Sequence, residues 1–238
     1  MDLAEAKRVL PTFPRTLHLP HNPNADKGDV IAEASEVSPV FTQTVNVEEK
    51  VDGASVGMTM HDDHPLIRNR DHILKKGFYK DTAAKEQFRS TWNWFYQHKG
   101  RFEALRDAGP YSVYGEWCLA QHGIEYTRLP EWFVAYDVYD FEKSLFLPPP
   151  AARKLLGDIG FTLPRLLHQG VYDRPEDDYA KLTAWANEPA EWSDTKAEGV
   201  YIKVYDDKQI THRFKMVRSD FERGKLWDAK KIKKNQLI

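Results

Sequence analysis

The chain has 238 residues, of which 41% are hydrophobic and 29% are charged, and its formal net charge is −2. This composition is typical of a globular protein with a substantial core, and it excludes a uniformly basic surface, so any site for anions must be local. The single cysteine, Cys118, excludes a disulfide framework and suits a reducing compartment.

The beginning of the chain, MDLAEAKRVLPTFPRT, contains no apolar core of the kind found in signal peptides. No apolar run approaches the roughly 18–20 residues that span a bilayer. We therefore expect a cytoplasmic protein that has no contact with a membrane.

The first regular elements are predicted to be strands. QTVNVEEK (43–50) and ASVGMTM (54–60) alternate apolar residues with polar or small ones. HDDHP (61–65) is typical of a turn, and LIRNR (66–70) is predicted to be the returning strand.

A long helix is predicted over residues 81–109. Asp81 or Thr82 can cap its beginning, Gly109 can end it, and Gly100 is expected to weaken or break its middle. Its apolar face is predicted to consist of Phe88, Trp92, Phe95, Phe102 and Leu105.

The second half of the chain mixes strands with short helices. YSVYGEW (111–117) and WFVAYDVYDF (132–141) predict buried strands, and residues 150–160 and 175–188 predict helices. Residues 198–218 predict a hairpin that turns at DDKQ. Because the elements follow no regular βαβ rhythm, we expect an α+β fold with mainly antiparallel sheets flanked by helices.

The stretch EEKVDGASVG (48–57) contains Lys50 two places before an Asp-Gly pair. Alone, this pattern is compatible with a hairpin turn whose lysine is solvated, or with a lysine whose amine acts as a nucleophile. Other segments follow it in order: IRNRDH, YGEW, VAYDVYD, EGVYIKV and HRFKMVR.

Together these segments resemble the covalent nucleotidyltransferases, which comprise ATP-dependent RNA and DNA ligases and mRNA capping enzymes. The sequence is most similar to the RNA ligase branch. FPRTLHLP and GEWCLAQHGIEYTRLPEWFVAYDVYD are also similar to a group of small RNA ligases, and the resemblance spans roughly residues 13–218. It implies the nucleotidyltransferase fold of ligases and capping enzymes.

The resemblance implies that Lys50 is the nucleophile that takes AMP from ATP. Asp52 and Gly53 complete its motif, and Glu49 is expected among the nucleotide-binding residues. A lysine attacks phosphorus only when it is unprotonated, although its ordinary pKa is about 10.4. We expect nearby cations and a metal to lower that pKa.

Other motif residues are implied to bind the nucleotide. Arg70 matches the arginine that contacts ribose and phosphate, with Arg68 as a competing alignment. Glu116 matches the acid that binds the ribose hydroxyls. Tyr136 matches the aromatic residue that stacks on adenine, although it could instead be plain core, in which case Phe133 would hold the base.

The final motifs are implied to bind metal and phosphate. Glu198 matches the acid linked to Mg²⁺ or Mn²⁺, which prefer oxygen ligands. Lys203, Arg213 and Lys215 match basic residues around the α-phosphate. Many relatives have Lys-x-Lys at the last motif, so Arg213 is a departure. Each residue alone also fits a structural role, such as the solvated face of a strand.

Other kinds of site find little support in the sequence. It contains neither a Gly-x-x-x-x-Gly-Lys-Ser/Thr phosphate loop nor a Gly-x-Ser-x-Gly hydrolase elbow. No zinc-site spacing is present, and Cys118 lacks a second thiol. Five histidines lie in or near predicted loops, but their spacing matches no zinc site: His18, His21, His61, His64 and His72.

We expect a nucleotidyltransferase domain over residues 1–218 and a basic tail over 219–238, which is too short for an OB-fold. The predicted function is ATP-dependent RNA repair that joins a 5′-phosphate end to a 3′-hydroxyl end. An end-healing kinase or phosphatase is a possible partner. The alternatives are a DNA ligase, a guanylyltransferase or a non-catalytic nucleic-acid-binding module. The tail lysines expected to contact RNA are Lys230, Lys231, Lys233 and Lys234.

Overall fold

The computed structural model describes residues 1–20, 22, 24–25, 28–76, 86–172, 178–228 and 231–238. The helices in these ranges are α1 (Leu3–Val9), α2 (Ala34–Thr42), α3 (Thr91–Gln97), α4 (Lys99–Ala108), α5 (Pro149–Ile159) and α6 (Asp178–Ala186). The strands are β1 (Leu17–His18), β2 (Val45–Lys50), β3 (Ala54–His61), β4 (His64–Asn69), β5 (Tyr111–Trp117), β6 (Phe133–Asp140), β7 (Leu145–Phe146), β8 (Leu166–Gly170), β9 (Gly199–Tyr205) and β10 (Ile210–Val217). None of these helices is long and apolar enough to cross a bilayer.

The strands form two five-stranded sheets. The first sheet has the order β1-β10-β9-β2-β8, and the second has the order β4-β3-β5-β6-β7. All neighbouring strands are antiparallel except β1 and β10, which pair in parallel over two residues. The predicted α+β fold with mainly antiparallel sheets is therefore confirmed, and the described ranges contain no closed barrel.

Each sheet buries one face against helices. The second sheet packs against α3, α4 and α5, and the apolar face predicted for the long helix lies in this core. The first sheet packs against α2 and α6 around a core that includes Val45, Val47 and Ile202. A third cluster contains aromatic side chains from both sheets, including Tyr136 and Tyr201, and it joins the sheets to α1.

The helix predicted over 81–109 contains a turn over residues 87–90, after which α3 begins at Thr91, and it is interrupted again at a different place from the one expected. α3 ends at Gln97 and α4 begins at Lys99, with His98 between them at φ −109° and ψ 21°. Gly100 lies inside α4, so the predicted break there is wrong. The bend lets the rings of Phe95 and Phe102 stack at 3.9 Å in the core. α4 ends at the predicted Gly109.

The proposed caps of that helix, Asp81 and Thr82, lie outside the described residues. Both predicted hairpins are present. The first turns at Asp62 and Asp63, which adopt the left-handed φ values of +46° and +61°. In the second, the Asp206 carboxylate accepts hydrogen bonds from the amides of Lys208 and Gln209, each at 2.8 Å.

The described part of 219–238 packs on the rest of the molecule. Phe221 is 5% exposed and Asn235 is 4% exposed, whereas Lys231, Lys233 and Lys234 lie on the surface. Lys230, the fourth lysine expected to contact RNA, lies outside the described residues. The backbone of residues 233–238 pairs with the loop between β5 and β6. The domain boundary at residue 218 stays a prediction, but the segment beyond it is not detached.

Candidate active site

A cavity of about 390 Å³ lies between the two sheets. Lys50, Tyr201 and Lys215 line it from the first sheet, and Glu116 and Tyr136 line it from the second. Its volume is in the range of small-molecule binding pockets. The two sheets therefore bring together five residues that lie far apart in the sequence.

Lys50 is the last residue of β2, and buried contacts fix the turn that follows it. One carboxylate oxygen of Asp52 accepts hydrogen bonds from the amides of Gly123 at 2.6 Å and Ile124 at 2.8 Å. The Asp52 amide donates to Tyr126 Oη at 2.9 Å. The turn is thus held from inside the protein and is not a solvated hairpin.

Gly53 is required by the close approach of this turn to the end of β5. A Cβ atom at this position would lie 3.0 Å from the Trp117 carbonyl oxygen and 3.2 Å from Cys118 Sγ. Because β5 also carries Glu116, this contact sets the distance between the lysine turn and that acid. Cys118 is a buried free thiol, as expected from its being the single cysteine.

Carboxylates surround the amine of Lys50. Its Nζ donates a hydrogen bond of 2.6 Å to Glu198 Oε2. Burial alone would lower the pKa of Lys50, but the charges of Glu198, Glu116 and Asp52 outweigh burial and raise it above its ordinary value. The immediate partners of the amine are acids, so the protein's own cations do not lower this pKa as expected, and the lowering expected from a metal stays a prediction.

Burial raises the pKa values of the acids around Lys50. Burial raises the pKa of Glu116 to about 8, although Lys50 opposes the shift. Burial also raises the pKa values of Glu198 and Asp52. Glu116 Oε2 is buried and has no hydrogen-bond donor among the described residues. Glu116 Oε2 can therefore accept a hydrogen bond from a hydroxyl group of a ligand. Added positive charge would stabilise the ionised forms of these acids.

Tyr136 lines the cavity, as its predicted role requires. Its side chain is flanked edge-on by Phe13 at 5.4 Å and Tyr201 at 5.8 Å. Phe133, the alternative base platform, is fully buried in the core of the second sheet against Trp94. The structure therefore leaves Phe133 out of the cavity.

The two candidate arginines occupy different environments. Arg70 is exposed and lines the cavity, where its charge also acts on Glu116. Arg68 is buried, and its guanidinium donates to the Leu10 carbonyl and to Thr12 Oγ1, each at 2.8 Å. Arg68 thus ties the N-terminal segment to β4, and Arg70 is the arginine available to a bound nucleotide.

Lys203 and Arg213 do not line the cavity. Lys203 Nζ lies 2.7 Å from both Glu48 and Asp137 carboxylates and 2.8 Å from the Tyr136 carbonyl oxygen. Arg213 contacts the other Asp137 oxygen at 3.3 Å. The Lys203 side chain is fully buried and that of Arg213 is 8% exposed. We call Glu48, Asp137, Lys203 and Arg213 the buried ion network. The structure therefore does not bring these two cations to the phosphate position expected from their motifs.

Lys215, by contrast, lines the cavity and pairs with a residue that the motifs did not identify. Its Nζ lies 3.4 Å from Asp29 Oδ1, and the other Asp29 oxygen lies 2.6 Å from Arg223. Burial, and next the nearby charge of Lys50, lower the pKa of Lys215. His18 also contacts Asp29, and burial together with Lys215 lowers its pKa to about 4.

Glu49 contributes to the cavity wall, but its carboxylate is bound elsewhere. It accepts two hydrogen bonds from the Glu191 amide, at 3.1 and 3.2 Å, and pairs with Arg165 at 3.2 Å. Burial raises its pKa to about 7. The structure does not bring this carboxylate to Lys50, because neighbouring side chains on a strand point to opposite faces.

Sequence reasoning missed several cavity residues. Phe13 stands in the Pro-punctuated FPRTLHLP segment, where an aromatic residue between turn-forming prolines was the available signal. Tyr201 lies inside a quoted motif, but its inward face could only be assigned from the pairing of β9. Asp71 also lies inside a quoted motif, IRNRDH, but no role was assigned to it, and Asp29 lies outside every quoted segment.

The described residues contain no cluster of three or more His, Cys, Asp or Glu side chains arranged to hold a metal. Mg²⁺ is commonly held by one or two carboxylates together with substrate phosphates and water. The excess of buried carboxylates around Lys50 therefore fits such an ion, with Glu198 as the carboxylate, only when phosphate oxygens complete the shell.

Comparison with known proteins agrees with this geometry. The RNA ligase family model matches residues 43–217. Three solved structures of the Naegleria gruberi RNA ligase share its fold: the complex with PPi has 20% identity and a TM-score of 0.58, covering 77% of this chain and 52% of that chain. Two variants with ATP and Mn have 20% and 21% identity and TM-scores of 0.57 and 0.55. These variants cover 82% and 77% of this chain, and 55% and 52% of theirs.

The chain thus spans about half the length of these ligases. No curated protein matches the sequence. The TM-scores to the solved structures show a common fold, and the family model, which covers most of the chain and includes the Lys50 turn, shows membership. The chain belongs to the RNA ligase family.

Proposed function

We propose that the protein is an ATP-dependent RNA ligase in which Lys50 carries AMP. The observation that carries this proposal is the position of the Lys50 amine, in a nucleotide-sized cavity and 2.6 Å from the buried Glu198. The nearby Glu116 has an oxygen without a donor among the described residues, and a buried acid of this kind costs stability unless a ligand completes it.

The cavity offers a separate contact for each part of ATP. The flat ring of Tyr136 supports adenine stacking. Glu116 Oε2, which lacks a donor among the described residues, is suited to accept a ribose hydroxyl. Arg70 and Lys215 supply positive charge for the phosphates.

In the first step, the unprotonated amine of Lys50 attacks the α-phosphorus of ATP. An N–P bond forms, the P–O bond to the β-phosphate breaks, and pyrophosphate leaves with the electron pair. One proton leaves the ammonium before the attack and another leaves the nitrogen as the phosphoramidate forms. Glu198 Oε2 is placed to accept one of them.

The raised pKa of Lys50 means that its deprotonation must be coupled to binding. A divalent ion, Mg²⁺ or Mn²⁺, supplies positive charge that neutralises phosphate and carboxylate oxygens when it binds. Glu198 is the residue that would hold it. The structures of Naegleria gruberi RNA ligase variants with ATP and Mn support this choice of nucleotide and ion.

The next two steps transfer AMP and join the ends. An oxygen of an RNA 5′-phosphate attacks the lysyl-AMP phosphorus, the P–N bond breaks, and Lys50 regains its protons. The RNA 3′-hydroxyl then attacks the activated 5′-phosphate, loses its proton, and releases AMP as the phosphodiester forms. A kinase or phosphatase that prepares such ends is the class of enzyme expected to act before this one.

The first test is self-adenylation with α-labelled ATP and Mg²⁺ or Mn²⁺. One AMP should attach through an acid-labile, base-stable bond, and Lys50→Ala should abolish labelling. Lys50→Arg is the matched control because arginine keeps the ion pair with Glu198 but is not deprotonated. Labelling that persists in either variant would contradict the assignment of Lys50, and labelling with GTP alone would favour a guanylyltransferase.

The second test separates RNA from DNA as the substrate. Pre-adenylated protein should seal a 3′-hydroxyl RNA strand to a 5′-phosphate far better than an all-DNA nick, since RNA differs in its 2′-hydroxyl and A-form shape. Equal or better sealing of DNA would replace the proposal with a DNA ligase. Absence of both labelling and sealing in folded protein would favour a non-catalytic binding module.

A further inference from the structure

Residues 231–238 lie along the loop that joins β5 to β6 (118–132), and we call this loop the β5–β6 loop. The Gln121 amide donates to the Lys233 carbonyl at 2.8 Å, and the Gln236 amide donates to the Tyr126 carbonyl at 2.9 Å. The Leu129 amide donates to the Gln236 carbonyl at 3.0 Å. The segment therefore pairs with both ends of the loop.

Asn235 is the buried residue of this segment, and its two chain neighbours are exposed. Its side-chain oxygen accepts a hydrogen bond from the Tyr126 amide at 2.8 Å. Its side-chain nitrogen donates to the carbonyls of Cys118 at 2.8 Å and Ala120 at 3.2 Å. A single amide thus satisfies three backbone groups, two at the start of the loop and one in its middle.

The same loop holds the turn after Lys50. The amides of Gly123 and Ile124 donate to the Asp52 carboxylate, and the Tyr126 hydroxyl accepts from the Asp52 amide. Tyr126 is fully buried, so its ring moves only with the loop backbone. A continuous set of hydrogen bonds therefore leads from Asn235 through the loop to a residue two positions from Lys50.

We propose that Asn235 is a positioning residue that holds the β5–β6 loop against Asp52 and thereby fixes the direction of the Lys50 amine. This inference rests on the proposed function, and it adds a residue that lies outside every motif of the sequence. Asn235 touches no reacting atom. Its effect is expected on the rate of the adenylation step, because small displacements of a nucleophile slow attack more than they weaken substrate binding.

The test compares Asn235→Asp with Gln121→Ala. Asn235→Asp keeps the acceptor for the Tyr126 amide but removes both donors and sets a carboxylate oxygen against two carbonyls. Gln121 is the matched control because its buried side chain donates to the Lys234 carbonyl and to Glu125 Oε1, each at 3.1 Å, but makes no hydrogen bond to Tyr126 or Asp52.

At saturating ATP, the single-turnover rate of self-adenylation should fall by about 10-fold to 100-fold in Asn235→Asp. The ATP concentration that gives half the maximal rate should change little. Gln121→Ala should keep the rate even if its melting temperature falls equally. An unchanged rate in Asn235→Asp, or an equal loss in both variants, would overturn the positioning role.

A double variant tests the path. Tyr126→Phe removes the hydroxyl that accepts from the Asp52 amide, so it should slow adenylation through the same turn. The loss in Tyr126→Phe with Asn235→Asp should be smaller than the product of the two single losses, because residues of one network are not additive. Full multiplicativity would mean that the two residues act separately and would contradict the proposal.

Hydrogen exchange provides a readout that does not depend on activity. The amides of Gly123 and Ile124 should exchange faster in Asn235→Asp than in the unaltered protein, and Gln121→Ala should leave them protected. If the unaltered protein does not label with ATP, the proposed function fails while exchange still decides whether Asn235 holds the loop. Unchanged protection at both amides would overturn the inference.

Discussion

Two charged clusters lie near Tyr136, and they differ in how their charges are matched. In the buried ion network, Lys203 lies between Glu48 and Asp137, and Arg213 contacts the second oxygen of Asp137. In the cavity, three acids surround Lys50, and Glu116 Oε2 has no donor among the described residues.

This difference distinguishes charged residues that stabilise the fold from charged residues that are expected to bind a ligand. Buried charges are tolerated when each has partners, and their removal is costly because it leaves an unpaired charge. A cluster with surplus acid costs stability at neutral pH and is expected where a ligand or cation will complete it. Lys203 and Lys50 both belong to motifs, but we expect Lys203 to stabilise the fold and Lys50 to act on a ligand.

The largest expected effect comes from substituting these two lysines by methionine. Lys203→Met should destabilise the protein by about 3–5 kcal/mol, since it leaves two buried acids short of a partner. Lys50→Met should lose self-adenylation but cost less stability, because its side chain is 24% exposed and Glu198 already has a raised pKa. Denaturant unfolding measures both, and a larger loss for Lys50→Met would reverse the comparison.

The next largest expected effect is a loss of ATP binding when Tyr136 is substituted by alanine. Tyr136→Ala should weaken ATP binding by about 1–3 kcal/mol if the ring stacks on the base as aromatic residues do on single strands. Tyr136→Phe should bind ATP nearly normally, because the hydroxyl makes only a 3.4 Å contact with Ser55. Calorimetric titration of both variants checks this. Normal binding by folded Tyr136→Ala would assign Tyr136 to the core.

A smaller expected effect is the pH dependence of folding stability that results from the raised pKa of Glu116. The pKa of Glu116 is raised from 4.5 to about 8 in the folded protein. Between these values the folded state keeps a proton that the unfolded state has lost, so stability falls as pH rises through this window. Its contribution is complete below 4.5 and is lost above about 8.

Glu116→Gln should therefore flatten the decrease in melting temperature across this pH range. Glu49→Gln is the matched control, because the pKa of Glu49 is raised from 4.5 to about 7 and its removal should flatten only the lower part. An unchanged pH profile in Glu116→Gln would show that this acid is ionised in the folded protein at all these pH values.

The sequence predicted those parts of the fold that depend on local patterns. The alternation in 43–50 and 54–60 identified β2 and β3, and the apolar spacing identified the helical face that packs on the second sheet. The sequence did not predict the break at His98, because this break accompanies the stacking of Phe95 on Phe102, which is a tertiary contact.

For the candidate site, five residues named from motif order, Lys50, Arg70, Glu116, Tyr136 and Lys215, line one cavity, and their roles stay predictions. Motif order could not show that Lys203 and Arg213 pair with Asp137 in the buried ion network, since burial depends on how the sheets face each other. Nor could it identify Asn235, a lone amide in a run of polar residues whose partners lie more than 100 residues away.

The smallest expected effect concerns the exposed lysines that flank Asn235. Because Asn235 is buried in the same segment, trimming 231–238 would disturb the loop as well as remove charge, so substitution is the cleaner experiment. The triple change Lys231→Gln, Lys233→Gln and Lys234→Gln should weaken RNA binding and leave self-adenylation intact. Each phosphate contact on a single strand contributes about 0.7 to the slope of log affinity against log salt, so the slope should fall by up to about 2.

Lys154→Gln is the matched control for this salt titration. Lys154 is also exposed, but it lies on α5 and pairs with Asp158 at 2.7 Å, so its removal should leave the salt slope unchanged. RNA binding measured at several salt concentrations distinguishes the two variants. If the triple variant keeps the original slope while the protein still binds RNA, the phosphate contacts lie elsewhere. Arg70 then becomes the next residue to substitute, because it is exposed and lines the same cavity as Lys50.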